Sequence, residues 1–128
     1  ATPTLGWGQG TETGFVPVGG GIGVYDTFQG HFDGLGHTIS NLYIQRTINK
    51  VGLFGSNSGR INNVGLVDSN VQGNAEVGGL VGYLVIGGKI SNSFVRGGSI
   101  HASGTGPTYD SAVGGLVGYS DGHVDSSY

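Results

Sequence analysis

Apolar residues fall in short clusters separated by glycine rather than at helical spacing. "VDSNVQG" places Val67, Ser69 and Val71 on one face of an extended chain, and "SFVRGGSI" alternates in a similar way. A glycine inside a helix costs about 1 kcal/mol relative to alanine, and few windows of this chain lack several glycines. The pattern therefore favours short β-strands over helix throughout.

A glycine motif recurs along the chain. "VGGLVGY" stands at Val77–Tyr83 and at Val113–Tyr119, and "VGLFG" stands at Val51–Gly55. With Gly55, Gly82 and Gly118 as equivalent positions, the spacings are 27 and 36 residues. Each copy is followed by a motif of glycine, a polar residue, an aliphatic residue and further polar residues. A repeat of this length with a drifting period, whose extra residues lie in Gly/Ser/Thr/Pro-rich pieces, is typical of stacked strands joined by loops. We predict an all-β fold, a parallel β-solenoid of roughly four to five coils.

Equivalent residues of successive coils would stack in rows. An earlier relative of the second motif, "GHTISN", extends the alignment towards the start of the chain. The Asn side chains would either hydrogen-bond along their row or each cap a separate turn. The alignment predicts two core rows, Ile39, Ile61, Ile90 and Val124, and Leu53, Leu80 and Leu116, and a corner row of Asn41, Asn63 and Asn92.

The glycines themselves do not form a phosphate-binding loop. "VGGLVGY" lacks the Lys and the Ser or Thr of a P-loop, and no G-x-G-x-x-G fingerprint is present. A glycine-flanked bend would instead turn the adjacent Leu80 and Val81 into the core together.

Three stretches resemble a known repeat family. "FDGLGHTISNLYI", "VGLFGSNSGRINNVGL" and "VGGLVGY" with "ISNSF" closely resemble GLUG-motif repeats, which occur in large bacterial exoproteins. These include filamentous-haemagglutinin-like adhesins and immunoglobulin-A-cleaving metallopeptidases. The resemblance runs from about Gly14 to Tyr128. It implies a right-handed β-helix in an exported protein, extracellular or at the bacterial cell surface, and it implies no enzymatic activity.

The repeats divide one domain into segments. We expect residues 1–13 to form a partial leading coil or cap, residues 14–50 the first coil, and residues 51–76, 77–112 and 113–128 further repeats. Because the chain begins at Ala1 without Met and stops inside a repeat, we expect a piece of a longer protein.

Composition excludes several classes of partner. The net charge is -3 and only five Lys and Arg are present, which argues against nucleic acid. No run of about 20 apolar residues predicts a membrane span. The absence of Cys excludes disulfides and thiolate metal sites.

The sequence offers few candidate residues for a catalytic or metal-binding site. The HExxH zinc motif is absent, and His31 with His37 is the only loose zinc pair. Two carboxylate pairs, Asp33 with Asp68 and Asp121 with Asp125, could be tested against the separation of about 5–9.5 Å that glycosidases need. "SDGHVD" is too sparse for a calcium loop. We predict no enzyme, no cofactor and no metal.

Tyrosines are the better binding candidates. Tyr83 and Tyr119 end the two glycine motifs, and with Tyr43, Tyr25 and Tyr109 they could form an exposed strip for glycan or protein contact. The alternative is that they pack between coils.

The function predicted from these features is a structural or adhesive module of an exported surface protein. Its partners would be a host-cell or matrix protein or a glycan, or further copies stacked end to end. Two alternatives remain open, a self-assembling fibre subunit and the scaffold of a polysaccharide-active enzyme.

Overall fold

The computed structural model describes residues 13–14, 17–19, 27–103 and 113–128. This part of the chain contains strands, bends and turns, and no helix. The strands are β1 (Thr13–Gly14), β2 (His31–Ser40), β3 (Tyr43–Gln45), β4 (Phe54–Asn57), β5 (Arg60–Gly73), β6 (Val77–Gly78), β7 (Val81–Leu84), β8 (Lys89–Ser91), β9 (Phe94–Ala102), β10 (Val113–Gly114), β11 (Val117–Ser120) and β12 (His123–Asp125).

Pairing between the described strands is parallel except where β1 meets β3. The largest sheet has seven strands in the order β1-β3-β5-β8-β12, and β2 and β9 also pair with β5. A three-stranded sheet has the order β11-β7-β4, and β10 pairs with β6. Parallel neighbours need a long connection between them, and here one whole repeat supplies it. The fold is therefore all-β with parallel sheets.

The glycine motifs lie side by side, as the repeat alignment predicts. Phe54 pairs with Val81 and Val81 with Val117, which places Gly55, Gly82 and Gly118 at equivalent positions. Leu80 and Val81 are adjacent in sequence, yet both are fully buried in the core. A β-carbon on Gly82 would overlap the backbone of Val51 and Glu76. A bend at residues 79–80 turns both Leu80 and Val81 into the core, as the sequence predicts, and the glycines also permit a close approach of neighbouring backbones, which the sequence does not predict.

One predicted row is correct in three of its four members. Ile61 pairs with Ile90, and Ile90 pairs with Val124. The fourth position is occupied by Phe32, whereas Ile39 pairs with Leu66. The assignment of Ile39 was wrong because the copy of the motif that pairs with Arg60, Ile61 and Asn62 is "HFD" at 31–33, and Ile39 lies seven residues beyond Phe32 along β2. The stretch "GHTIS" therefore resembles the motif in sequence but does not pair at the position of the motif in the sheet.

The burial of the side chains decreases along both core rows towards the last repeat. Ile61 and Ile90 are fully buried, while Val124 is 38% exposed with Ile90 on one side. In the leucine row Leu53 and Leu80 are buried and Leu116 is partly buried. The buried core is formed by Leu42, Ile44, Val51, Leu53, Phe54, Ile61, Val64, Leu66, Val71, Val77, Leu80, Val81, Leu84 and Ile90.

The structure changes both the membership of the predicted asparagine row and the reason why asparagine occurs there. Asn63 and Asn92 have φ of 59° and 50°, and Ser126 follows them with φ of 49°. Asn41, with φ of 60°, lies at a different corner, because the preceding Ser40 pairs with Val67. Asn is enriched in this left-handed region because its short polar side chain tolerates it. Asn63 donates to Asp33 instead of to Asn92, so the row does not form an amide ladder.

Candidate functional site

Two tyrosines of the glycine motifs stack on the outer face of the three-stranded sheet. Tyr83 pairs with Tyr119 in register. Their ring centroids are 5.3 Å apart and the rings are inclined by 17°. Because successive residues of a strand point to opposite faces, the fully buried Leu84 places the adjacent Tyr83 on the outer face.

Lys50 and Asp121 complete this cluster. The Lys50 Nζ lies 5.3 Å from the centroid of the Tyr83 ring. The Tyr83 hydroxyl donates to Asp121 Oδ2 at 2.6 Å. This hydrogen bond to a carboxylate, aided by desolvation and the nearby negative charge, raises the pKa of Tyr83 to about 12. Tyr83 is thus contacted by an aromatic ring, a cation and a carboxylate, which is the packing role left open as the alternative. Tyr119 remains 45% exposed.

Tyr43 does not join this pair. It lies in β3 of the seven-stranded sheet and is 42% exposed. Its hydroxyl donates to Gln45 Oε1 at 2.6 Å. The placement of Tyr43 in the predicted strip is therefore wrong, since it lies in a different sheet from the stacked Tyr83 and Tyr119. Tyr25 and Tyr109 lie outside the described residues.

The carboxylate pairs lie at unrelated positions. Asp33 accepts hydrogen bonds from the Leu35 amide at 2.9 Å and from Asn63 Nδ2 at 3.1 Å, and these bonds lower its pKa. A glycosidase general acid needs a raised pKa. Asp68 lies at the corner of Asn41 and has φ of 55°. Asp121 accepts from Tyr83, whereas Asp125 pairs with Ser91.

The histidines considered for zinc are also separated along β2. The His31 ring Nε2 lies 3.0 Å from Asn62 Oδ1, whereas His37 pairs with Val64 beyond the register shift. Among the described residues, no group of three or more His, Asp or Glu side chains could hold a metal ion.

Glu76 is a carboxylate in an unfavourable environment. Its Oε2 is buried and has no hydrogen-bond partner in the described part of the chain. Burial raises its pKa, and the charge of Lys50 partly opposes this effect. Glu76 also has φ of 54°. Lys50 and Glu76 precede the paired residues Val51 and Val77, so both belong to one corner beside the tyrosine cluster.

A cavity of about 290 Å³ offers no comparable chemistry. Its described lining is apolar and consists of Val18, Phe28, Phe32, Ile39, Leu53 and Phe54. These side chains carry no hydrogen-bonding or titratable group, so they would orient no polar substrate.

A row of basic side chains is the feature that the sequence reasoning missed. His31 pairs with Arg60, Arg60 with Lys89, and Lys89 with His123, and all four are exposed. We call these four residues the basic row. The repeat alignment already matches Arg60, Lys89 and His123, but it takes "GHTISN" as the earlier relative and so places His37, rather than His31, near this row. The signal was "GHFD", which fits the motif of glycine, basic, apolar and polar residue and stands 29 residues before the copy at Arg60, as that copy stands 29 residues before the copy at Lys89.

Comparison with known proteins gives one informative relative. The chain is 38% identical over 124 residues to halomucin of Haloquadratum walsbyi (strain DSM 16790 / HBSQ001), an alignment that covers 94% of this chain. The chain spans about 1% of the length of that relative. No family model matches the chain, and no solved structure matches it. The described residues include no helix that is long and apolar enough to cross a membrane.

Proposed function

We propose that this chain is a right-handed parallel β-helix module of an exported surface protein, serving extension, display or adhesion. The observation that supports this most is the repeated in-step pairing. Ile61 pairs with Ile90 and Ile90 with Val124, at spacings of 29 and 34 residues. Each repeat would then form one coil, and each coil would be stabilised by its neighbours.

A repetitive architecture of this kind suits a spacer. Stability that comes from contacts between neighbouring coils does not depend on total length, so a rod can be extended coil by coil. The residues that differ in length between repeats lie in polar, glycine-rich segments such as 101–112. Because loops tolerate insertions better than the elements that they connect, repeats of different length can belong to one stack.

Three further observations support surface association. The name of the relative, halomucin, contains the word mucin. Charged residues form only 10% of the chain, which suits a neutral extracellular surface. The motifs that resemble GLUG repeats occur in the order in which the strands pair, which agrees with an exported β-helix.

Removing one repeat tests the architecture. Deletion of residues 62–90 joins Ile61 to Ser91 and removes one pairing interval. We expect this variant to show β-type circular dichroism and to unfold cooperatively, with an unfolding midpoint below that of the full chain. Deletion of residues 62–76 removes about half an interval and should abolish cooperative unfolding. Equal behaviour of the two variants would contradict the stacked-coil arrangement.

Labelling of intact cells tests the location. An antibody raised against this chain should stain unpermeabilised cells that make the parent protein. Staining only after permeabilisation would contradict the surface assignment, whatever the result of the deletion experiment.

A further inference from the structure

The basic row places like charges next to each other on an exposed sheet face. Arg60 and Lys89 pair directly, and neighbouring strands are only about 4.8 Å apart. Like charges that lie opposite each other in a sheet are destabilising. The chain contains only five Lys and Arg, so two of them in one row are not explained by abundance.

The residues around the two central cations leave their charge uncompensated. Neither Arg60 nor Lys89 forms an ion pair with any described residue. On the outer face, the next positions are the neutral Asn62 and Ser91. Carboxylates occur only at the two ends of that second row, as Asp33 beside His31 and Asp125 beside His123.

The second row adds hydrogen-bonding groups at the same spacing. Asp33 pairs with Asn62, Asn62 with Ser91, and Ser91 with Asp125. Asn62 supplies an amide and Ser91 a hydroxyl, and both can bond to sugar hydroxyl groups. Cations and polar groups thus run in parallel rows across the strands.

We propose that this face binds a linear anionic polysaccharide that lies across the strands, with its carboxylate or sulfate groups on Arg60 and Lys89. A polymer of uronic or sulfated sugars carries its charges at intervals comparable with the strand spacing of about 4.8 Å. Asn62 and Ser91 contact its hydroxyl groups. The inference rests on the proposed function only because it assigns a class of ligand to the adhesive module. The site itself follows from the register in which the strands pair.

Charge and width favour a polysaccharide over nucleic acid. Duplex DNA carries one phosphate per about 1.7 Å of axis and needs a broad basic surface. The row here is one residue wide, Asp33 and Asp125 flank it, and the net charge of the chain is -3.

Binding of defined polymers to the purified full chain tests the proposal. The probes are polygalacturonate for carboxylate, dextran sulfate for sulfate, neutral dextran, and single-stranded DNA of comparable length. We expect at least one anionic polysaccharide to bind at low salt, with affinity that falls as salt rises. Neutral dextran should not bind.

Matched charge removals locate the site. Arg60→Gln should weaken binding about tenfold, as expected for loss of a charge-assisted contact. Arg96→Gln removes one exposed charge from β9, outside the basic row, and should leave affinity within about twofold. His123→Lys places a longer, more flexible ammonium side chain in the row and should strengthen binding about threefold.

Three outcomes would overturn the proposal. The first is an equal weakening of polysaccharide binding by Arg60→Gln and Arg96→Gln. The second is wild-type affinity in the Arg60→Gln, Lys89→Gln double variant. The third is tighter binding of DNA than of either anionic polysaccharide. Circular dichroism of each variant separates loss of the site from loss of the fold. If the deletion of residues 62–90 behaves as expected while no polymer binds, the inference fails and the proposed architecture stands.

Discussion

Gly82 and Val51 approach each other so closely that a β-carbon on residue 82 would overlap the backbone nitrogen of Val51. Val51 lies four residues before Gly55, the equivalent glycine of the previous repeat, and it is fully buried. The same β-carbon would also meet the carbonyl oxygen of Glu76. Backbone atoms cannot move aside as a flexible side chain can, so glycine at position 82 sets the packing distance between repeats.

Gly82→Ala is therefore expected to lower the free energy of unfolding by about 3 kcal/mol, the upper part of the range for overpacking a core. Gly115→Ala is the matched control, because no atom of the described residues lies within 4 Å of its added β-carbon and its φ is not positive. Urea denaturation followed by circular dichroism gives both values. Equal losses in the two variants would show that the close approach is not limiting.

Ile90→Asp is expected to prevent folding. Ile90 is fully buried between Ile61 and Val124, and an isolated charge there would have to be desolvated without a partner. Val124→Asp introduces the same charge in the same row at a position that is 38% exposed, and it should be tolerated with a lowered midpoint. Thermal unfolding of the two variants checks the expectation. An unchanged midpoint for Ile90→Asp would contradict the register.

Sequence reasoning predicts the fold wherever the motif is repeated with both its glycine and its aliphatic residue. Gly55, Gly82 and Gly118 and the pairing of Ile61 with Ile90 and Val124 follow from simple alignment. The error at Ile39 arises because Gly30-His31 and Gly36-His37 begin only six residues apart, and Phe32 of the first stretch, rather than Ile39 of the second, pairs with Ile61. Residue types alone do not separate the two stretches, since both place an apolar residue shortly after Gly-His, whereas the spacing of 29 residues favours "GHFD".

The site was harder to predict than the fold. Tyrosines were chosen by residue type, and the structure shows that strand position separates Tyr43 from Tyr83 and Tyr119. The basic row depends on which residues share a register, and one error of alignment removed His31 from it. Backbone conformation was likewise invisible in the sequence. The left-handed φ of Asn63 and Asn92 explains their residue type better than a side-chain ladder does.

Asn92→Val is expected to destabilise the protein by about 1–2 kcal/mol, because a β-branched residue is strained at its φ of 50°. Asn92→Gly should be close to neutral, since glycine adopts this region without steric cost. Asn70→Val is the control for the loss of an exposed amide, because Asn70 is exposed within β5 and a strand favours Val. Chemical denaturation measures the three variants. Equal effects at positions 70 and 92 would show that the corner conformation is not what selects Asn.

Tyr83 is expected to ionise near pH 12, well above the ordinary pKa of 10.0. Its neutral hydroxyl donates to Asp121, and ionisation would remove that donor and place two negative charges together. Because the folded-state pKa is raised, the stabilisation is fully present below about pH 10 and is lost as pH rises through about 12. Subtracting the phenolate absorbance titration of Tyr83→Phe from that of the wild type isolates this group. Asp121→Asn should shift the isolated midpoint down towards 10, and an unchanged midpoint would show that the hydrogen bond is not its cause.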